Sequence, residues 1–209
     1  MLFRSGCQNI SDDIVVYGKD VAEHDERLKK VLHTLKERGL TLNKKKCVFR
    51  MNEIEFMGHL LSAKGTGPTE SRVKALREAR EPTDSSEVRS FLGLVNCSAR
   101  FISGLATKAE PLRRLTQKNT PFVWGKDQRK AFEELKNSLT DVDTLAYFNP
   151  ALKTRVVADA SPVGPGAMLL QEHDKVWRTV CYANKTLSSV ERRYSQTEKE
   201  ALALVWSVE

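Results

Sequence analysis

Two adjacent carboxylates, Asp12 and Asp13, lie between short apolar stretches and lead into Ile14-Val15-Val16-Tyr17-Gly18, a run with strand character. Side chains at neighbouring strand positions face opposite ways, so two repelling acids in a strand-turn-strand need something positive to hold them. A divalent metal carrying a triphosphate would do so, through oxygen ligands and charge stabilisation at the reacting phosphorus. An ordinary acidic turn is the competing reading, because Asp is favoured in tight turns. A second set of acids lies far along the chain. Residues 154–158 read as a strand running into Asp159-Ala160-Ser161, and Gly164 and Gly166 permit a tight turn before Ala167-Met168-Leu169-Leu170. A carboxylate at the end of a strand that looks buried must have its charge compensated, unless it simply caps a turn. Further on, Ser195-Gln196-Thr197-Glu198 fits a capping box in which Glu198 reaches back to the helix start, which leaves Glu200 as the acid not engaged by the cap.

The elements that must position these acids follow from periodicity. After the acidic hairpin, Val21, Leu28, Val31, Leu32 and Leu35 recur at helical spacing and Gly39 marks the stop, giving a helix of about 18 residues with a charged opposite face. Leu40-Thr41-Leu42 and Val48-Phe49 read as strands around the basic turn Lys44-Lys45-Lys46. Helices follow from Pro68 onward. Thr69 caps one, Asp84 with Glu87 starts a second carrying Val88, Phe91, Leu92 and Val95, residues 108–115 form a third with Arg113-Arg114 exposed, and residues 126–139 form a fourth with Ala131, Phe132, Leu135 and Leu139 inward. A strand around Val180-Cys181-Tyr182 completes the C-terminal pattern.

The chain of 209 residues carries a formal charge of +7, and 40% of its residues are hydrophobic. That length holds one large domain or two small ones with real cores. Residues 149–209 contain eight Lys/Arg and seven Asp/Glu, so about +6 of the charge falls on residues 1–148, as expected of a surface that meets a polyanion. No apolar run is long enough to cross a bilayer and the N-terminus lacks a signal-peptide pattern, so no membrane partner is expected. Cys7, Cys47, Cys97 and Cys181 are scattered without metal-ligand spacing, which suits reduced thiols in an intracellular protein, cytoplasmic or nuclear.

Six strings in order, ISDDIVVYGKD at 10–20, HDERLKKVLHTLKERGLTLNKKKC at 24–47, EFMGHLLSAKG at 55–65, EVRSFLGLVN at 87–96, VVADAS at 156–161 and YSQTEKEALALVW at 194–206, resemble the reverse transcriptase and ribonuclease H region of a gypsy-like LTR retrotransposon Pol polyprotein. The resemblance implies an α+β chain: the C-terminal part of a reverse transcriptase palm with a helical thumb, followed by a partial ribonuclease H-like α/β domain. It divides the chain into palm (1–66), thumb-like region (67–118), connecting segment (119–148) and the N-terminal half of the ribonuclease H-like domain (149–209). The connecting segment would act as a tether, and residues 149–209 would fold only marginally alone.

By the same resemblance, Asp12 matches the direct metal ligand of the polymerase acid pair and Asp13 its lesser partner. Asp159 matches the first strand carboxylate of ribonuclease H and Glu200 the helix-borne ligand, with Mg2+ in two-metal sites. Met57, Gly58 and His59 fall in the hairpin that supports the primer terminus, where glycine lets a nucleic-acid backbone come close. The implied partners are an RNA–DNA hybrid or primer-template duplex, with deoxynucleotides as substrates of the intact enzyme. An upstream palm aspartate and further downstream acids of the family pattern fall outside the chain, so both sites are expected to be incomplete and the isolated chain inactive. A catalytically inactive, retroelement-derived nucleic-acid-binding protein is the alternative. Ile10, where the family most often has tyrosine, Pro165 and Cys97-Ser98-Ala99 depart from the pattern without touching a carboxylate.

Overall fold

The computed structural model describes residues 6–139 and 144–209; residues 1–5 of the palm segment and 140–143 of the connecting segment lie outside the described residues. The chain divides into two compact units, 1–57 and 58–209.

The first unit opens with a hairpin. Strands β1 (Cys7–Ile10) and β2 (Asp13–Val16) pair antiparallel with Ile10 opposite Asp13, so Ser11 and Asp12 form the two-residue turn. Ser11 takes the left-handed backbone (φ 55°), as one central residue of such a tight turn must. Helix α1 (Val21–Glu37) starts where Asp20 accepts the Glu23 amide at 2.8 Å, and it ends at Gly39, whose φ of 68° lets the Leu40 amide close back on the Leu35 carbonyl at 2.9 Å. Arg27 on this helix donates to the Tyr17 carbonyl at 2.8 Å and so ties α1 to the end of the hairpin.

The stretches expected as strands at 40–42 and 48–49 are not strands. Asn43 accepts the Lys45 amide at 3.1 Å and builds the basic turn at 44–46 as expected, but Leu40, Leu42, Val48 and Phe49 are exposed and have no ladder to join. Apolar β-formers without a pairing partner do not make a strand. Strand β3 (Glu53–Phe56) closes the unit.

The second unit begins with β4 (His59–Ser62), paired antiparallel with β5 (Gly65–Pro68). Four helices follow: α2 (Glu70–Arg77), α3 (Ser85–Asn96), α4 (Leu105–Arg114) and α5 (Lys126–Asn137). Thr69 and Asp84 cap α2 and α3 as their types predict, while Glu87 binds the Thr83 amide at 2.8 Å rather than that of the cap residue. Helix α4 starts earlier than its apolar pattern suggests, because Gly104 at φ 64° serves as its N-cap.

Helix α5 of the connecting segment is packed into the helical core. Ala131, Phe132 and Leu135 of α5 are buried with Leu76, Val88, Phe91, Val95, Leu105 and Leu112 in one core. Phe132 sits at its centre, its ring centroid 4.6 Å from Phe91 and 5.9 Å from Trp124. Beyond α5, Thr66 and Leu145 exchange backbone hydrogen bonds at 2.9 Å and the Ala146 amide donates to Thr179 at 2.7 Å, stitching the segment to both β5 and the C-terminal sheet.

That sheet is antiparallel, with β7 (Pro165–His173) between β6 (Thr154–Ala160) and β8 (Val176–Asn184). Helix α6 (Gln196–Val208) packs across β6 and β7, with Ala203 fully buried. Gly164, in the β6–β7 turn, lies so close to the backbone of Lys185 that any β-carbon would run into its carbonyl.

Candidate active-site carboxylates

Asp12 and Asp13 both project from the tip of the β1–β2 hairpin and are exposed, Asp12 in the turn and Asp13 as the first residue of β2. Behind them only Val15 of β2 is buried, so the hairpin presents its acids to solvent. Adjacent exposed carboxylates without a basic neighbour repel each other, and a divalent cation relieves that repulsion.

In the second unit, β6 runs two residues further than the apolar pattern indicated, so Asp159 lies inside the strand, opposite Gly166 of β7. It is exposed, not embedded, because β6 pairs on one side only and Val156 and Val157 are also open. Ser195 caps α6 in a complete capping box: its hydroxyl accepts the Glu198 amide at 3.3 Å, and Glu198 accepts the Ser195 amide at 2.7 Å and its hydroxyl at 2.8 Å. The Ser195 hydroxyl and amide hold the Glu198 carboxyl below the usual carboxylate range. Glu198 is therefore spent on the cap, as its spacing predicts.

Glu200 stands half-buried one turn into the helix and is used differently. The amide nitrogen of Gln196 donates to Glu200 Oε1 at 2.7 Å and to the Ala160 carbonyl at 2.9 Å. One side chain thus ties Glu200 to the strand residue next to Asp159, so α6 and β6 bring the two acids to the same end of the module. Gln196 was not singled out from sequence, although its position four residues before Glu200 is a readable helical pair. Among the described residues, Asp12, Asp13, Asp159 and Glu200 have no Lys, Arg or His nitrogen within 4.0 Å, as is also true of Glu198, whereas Glu110 and Glu191 pair with Arg192 and Lys185. No group of three or more potential metal-ligating side chains occurs among the described residues.

Met57 and Gly58 both adopt left-handed backbone, φ 50° and 72°, at the turn between β3 and β4. Two consecutive residues of that kind define a type I′ turn, and a β-carbon at Gly58 would meet the Arg72 guanidinium. His59 packs its ring 5.7 Å from that of Phe101. Burial, then the charges of Arg100 and Arg72, push its pKa below the usual imidazole value, so it is neutral at pH 7.

Along the chain, then, an acidic hairpin is followed by a helical region and by a β-sheet module with a strand-borne and a helix-borne acid. Residues 10–61 match the family model "Reverse transcriptase (RNA-dependent DNA polymerase)", and residues 124–209 match "RNase H-like domain found in reverse transcriptase". The Transposon Tf2-3 polyprotein of Schizosaccharomyces pombe is 33% identical over 198 residues, covering 94% of this chain and 15% of the polyprotein; the Tf2-7 polyprotein is 32% identical over the same share. The chain thus spans about one seventh of the length of the curated relatives it matches. Among solved structures, foamy viral protease-reverse transcriptase in complex with double-stranded DNA superposes with a TM-score of 0.84 over 97% of this chain and 36% of that one, at 23% identity. The same viral protein in complex with an RNA/DNA hybrid gives a TM-score of 0.83 over 97% of this chain and 28% of that one, at 23% identity. The chain is reverse transcriptase sequence joined to an RNase H-like domain, and it belongs to the Pol polyproteins of gypsy-like LTR retrotransposons.

Proposed function

We propose that this segment serves RNA-directed DNA synthesis through Asp12 and Asp13, and cleavage of the RNA strand of a hybrid through Asp159 and Glu200. The observation that carries the proposal is the double hydrogen bond of Gln196, which seats Glu200 against the strand that bears Asp159. Four carboxylates that have no basic partner among the described residues, on a chain of net charge +7, fit hard cations that prefer oxygen ligands. Mg2+ bound at such acids supplies charge stabilisation at phosphorus and a readied water or hydroxyl.

The remaining chemistry belongs to the chain. Gln196 orients Glu200 and ties α6 to β6, and the capping box fixes where α6 begins. At the Met57-Gly58 turn the absent side chain admits a sugar-phosphate backbone, and the neutral ring of His59 packs beside it without adding charge. The basic helical region contributes phosphate contacts that position a duplex without reading its sequence. The domain assignment follows: palm to residue 66, thumb from 67 to 118, connecting segment to 148, RNase H-like module from 149.

The test is a separation of activities in a whole Pol polyprotein carrying this segment. Asp12→Ala abolishes DNA synthesis on a primed RNA template and spares hybrid cleavage, whereas Asp159→Asn does the reverse. Loss of neither activity, or of both in each variant, contradicts the assignment.

A further inference from the structure

Helix α4 of the helical region reaches both chain segments that flank the acid pair Asp159/Glu200. Thr107 donates its hydroxyl to Ser161 Oγ at 3.0 Å. Ser161 lies two residues beyond Asp159 and organises the turn after β6, accepting the amides of Val163 at 3.2 Å and Gly164 at 3.0 Å. One turn along the same helix, Glu110 is 5% exposed and receives a two-pronged grip from Arg192, at 2.8 Å to Oε1 and 3.2 Å to Oε2. Arg192 sits in the short 3-10 turn Glu191–Arg193, immediately before the Ser195 cap that starts α6 and so fixes where Glu200 stands. Arg114 adds a second cation to Glu110 at 3.2 Å. Two further ties hold the same face: Asn184 at the end of β8 donates to the Ile102 carbonyl at 3.1 Å, and Arg113 donates to Thr186.

A surface ion pair between flexible side chains would carry little information. Glu110 differs in being buried and gripped in a bidentate fork, a geometry that fixes direction as well as distance. With Thr107, it fastens the turn after Asp159 and the entry to α6 to one rigid helix.

We infer that Glu110 and Thr107 are positioning residues for hybrid cleavage, through which the helical region sets the relative placement of Asp159 and Glu200. This inference rests on the reading of those two acids as the cleavage site. It assigns α4 a purpose beyond packing: through Ser161 and Arg192 it fixes the two segments that carry the acid pair.

The test uses a whole Pol polyprotein carrying this segment, with hybrid cleavage and DNA synthesis measured on the same preparation. Glu110→Gln keeps the shape and removes the charge, and it should lower kcat for cleavage by about tenfold while leaving the KM for hybrid and the rate of synthesis unchanged. Arg192→Lys should fall between Glu110→Gln and the parent, because it restores charge without the fork. Unchanged kcat in Glu110→Gln overturns the inference, and so does a parallel fall of cleavage and synthesis, which marks general destabilisation. If Glu110→Gln does not fold, Thr107→Val decides: a loss of kcat confined to cleavage supports the role, and parental kcat overturns it. Should Asp159→Asn leave cleavage intact, the reading of the acid pair fails first; should it abolish cleavage while Glu110→Gln is silent, only the positioning role fails.

Discussion

Gln196 and Glu200 face each other across one turn of α6, 2.7 Å from amide nitrogen to carboxylate oxygen, while the same nitrogen reaches the Ala160 carbonyl of β6. A neutral amide here does what a lysine could not: it orients the carboxylate without neutralising it. Gln196→Leu removes both bonds at similar volume, leaving Glu200 free to rotate. In a Pol polyprotein carrying this segment, the change should reduce hybrid cleavage by about tenfold at saturating Mg2+ and leave DNA synthesis at the parental rate. Parental cleavage in Gln196→Leu would show that Glu200 needs no such orientation.

The charge distribution gives a prediction for the chain itself. Most of its excess charge lies on residues 1–148, and among the described residues Arg72 and Arg100 have no carboxylate within 4.0 Å. The chain should bind duplexes weakly and without sequence preference, with affinity falling steeply as salt rises, by about 0.9 log units per log unit of salt for each phosphate neutralised. Fluorescence anisotropy on two unrelated duplexes at several salt concentrations checks this. Salt-insensitive binding contradicts the placement of the basic surface.

Phe132 probes whether the helical core includes the connecting segment. It is 1% exposed between Phe91 and Trp124, and Phe132→Ala should cost about 3–5 kcal/mol. Because α3, α4 and α5 share that core, the loss should lower one cooperative transition in residues 58–209, seen alike by urea titration of Trp124 and Trp177 fluorescence. A transition that moves for Trp124 and not for Trp177 would separate the two regions.

Much of the local architecture was legible because its causes are local. Thr69, Asp84 and Ser195 announce their helices through contacts only two or three residues long, and the engagement of Glu198 follows from a capping box that the structure forms. What failed depends on partners far away in sequence. Leu40-Thr41-Leu42 has strand composition but no neighbour to pair with. The apolar face of α5 was visible, yet nothing local says that it packs on α3 and α4. Glu110 and Arg192 lie 82 residues apart, so neither residue type suggests the other.

Acid should loosen the grip on the C-terminal module. Burial pushes the Glu110 carboxyl up, but hydrogen bonds from Arg192 and Arg114 outweigh it and leave its pKa below the ordinary 4.5. Glu191 is pushed down to about 2 by the Ser188 amide and hydroxyl and by Lys185. A carboxylate whose folded pKa is depressed binds more protons when unfolded, so its contribution is complete above the unfolded pKa and is lost as pH falls towards the folded one. The contribution of these two carboxylates to stability, measured by urea at fixed pH, should therefore be complete above pH 5 and decline from about 4.5 down to about 2, below a separate decline from about 6.5 that the depressed pKa of His59 adds. Glu110→Gln should shallow that decline, and an unchanged acid limb would show that Glu110 does not contribute to it.

Glu198 and Glu200 lie two residues apart on one helix, one closing the cap and the other left for the cleavage site. The most direct measurement is hybrid cleavage, with DNA synthesis as the internal control, in a Pol polyprotein carrying this segment with either Glu198→Gln or Glu200→Gln. Glu198→Gln should retain cleavage within about threefold, since a neutral amide still closes the capping box. Glu200→Gln should lose it at least about a hundredfold, because the carboxylate proposed to hold the metal is gone. Cleavage abolished by Glu198→Gln and preserved in Glu200→Gln would contradict the assignment of cap and ligand.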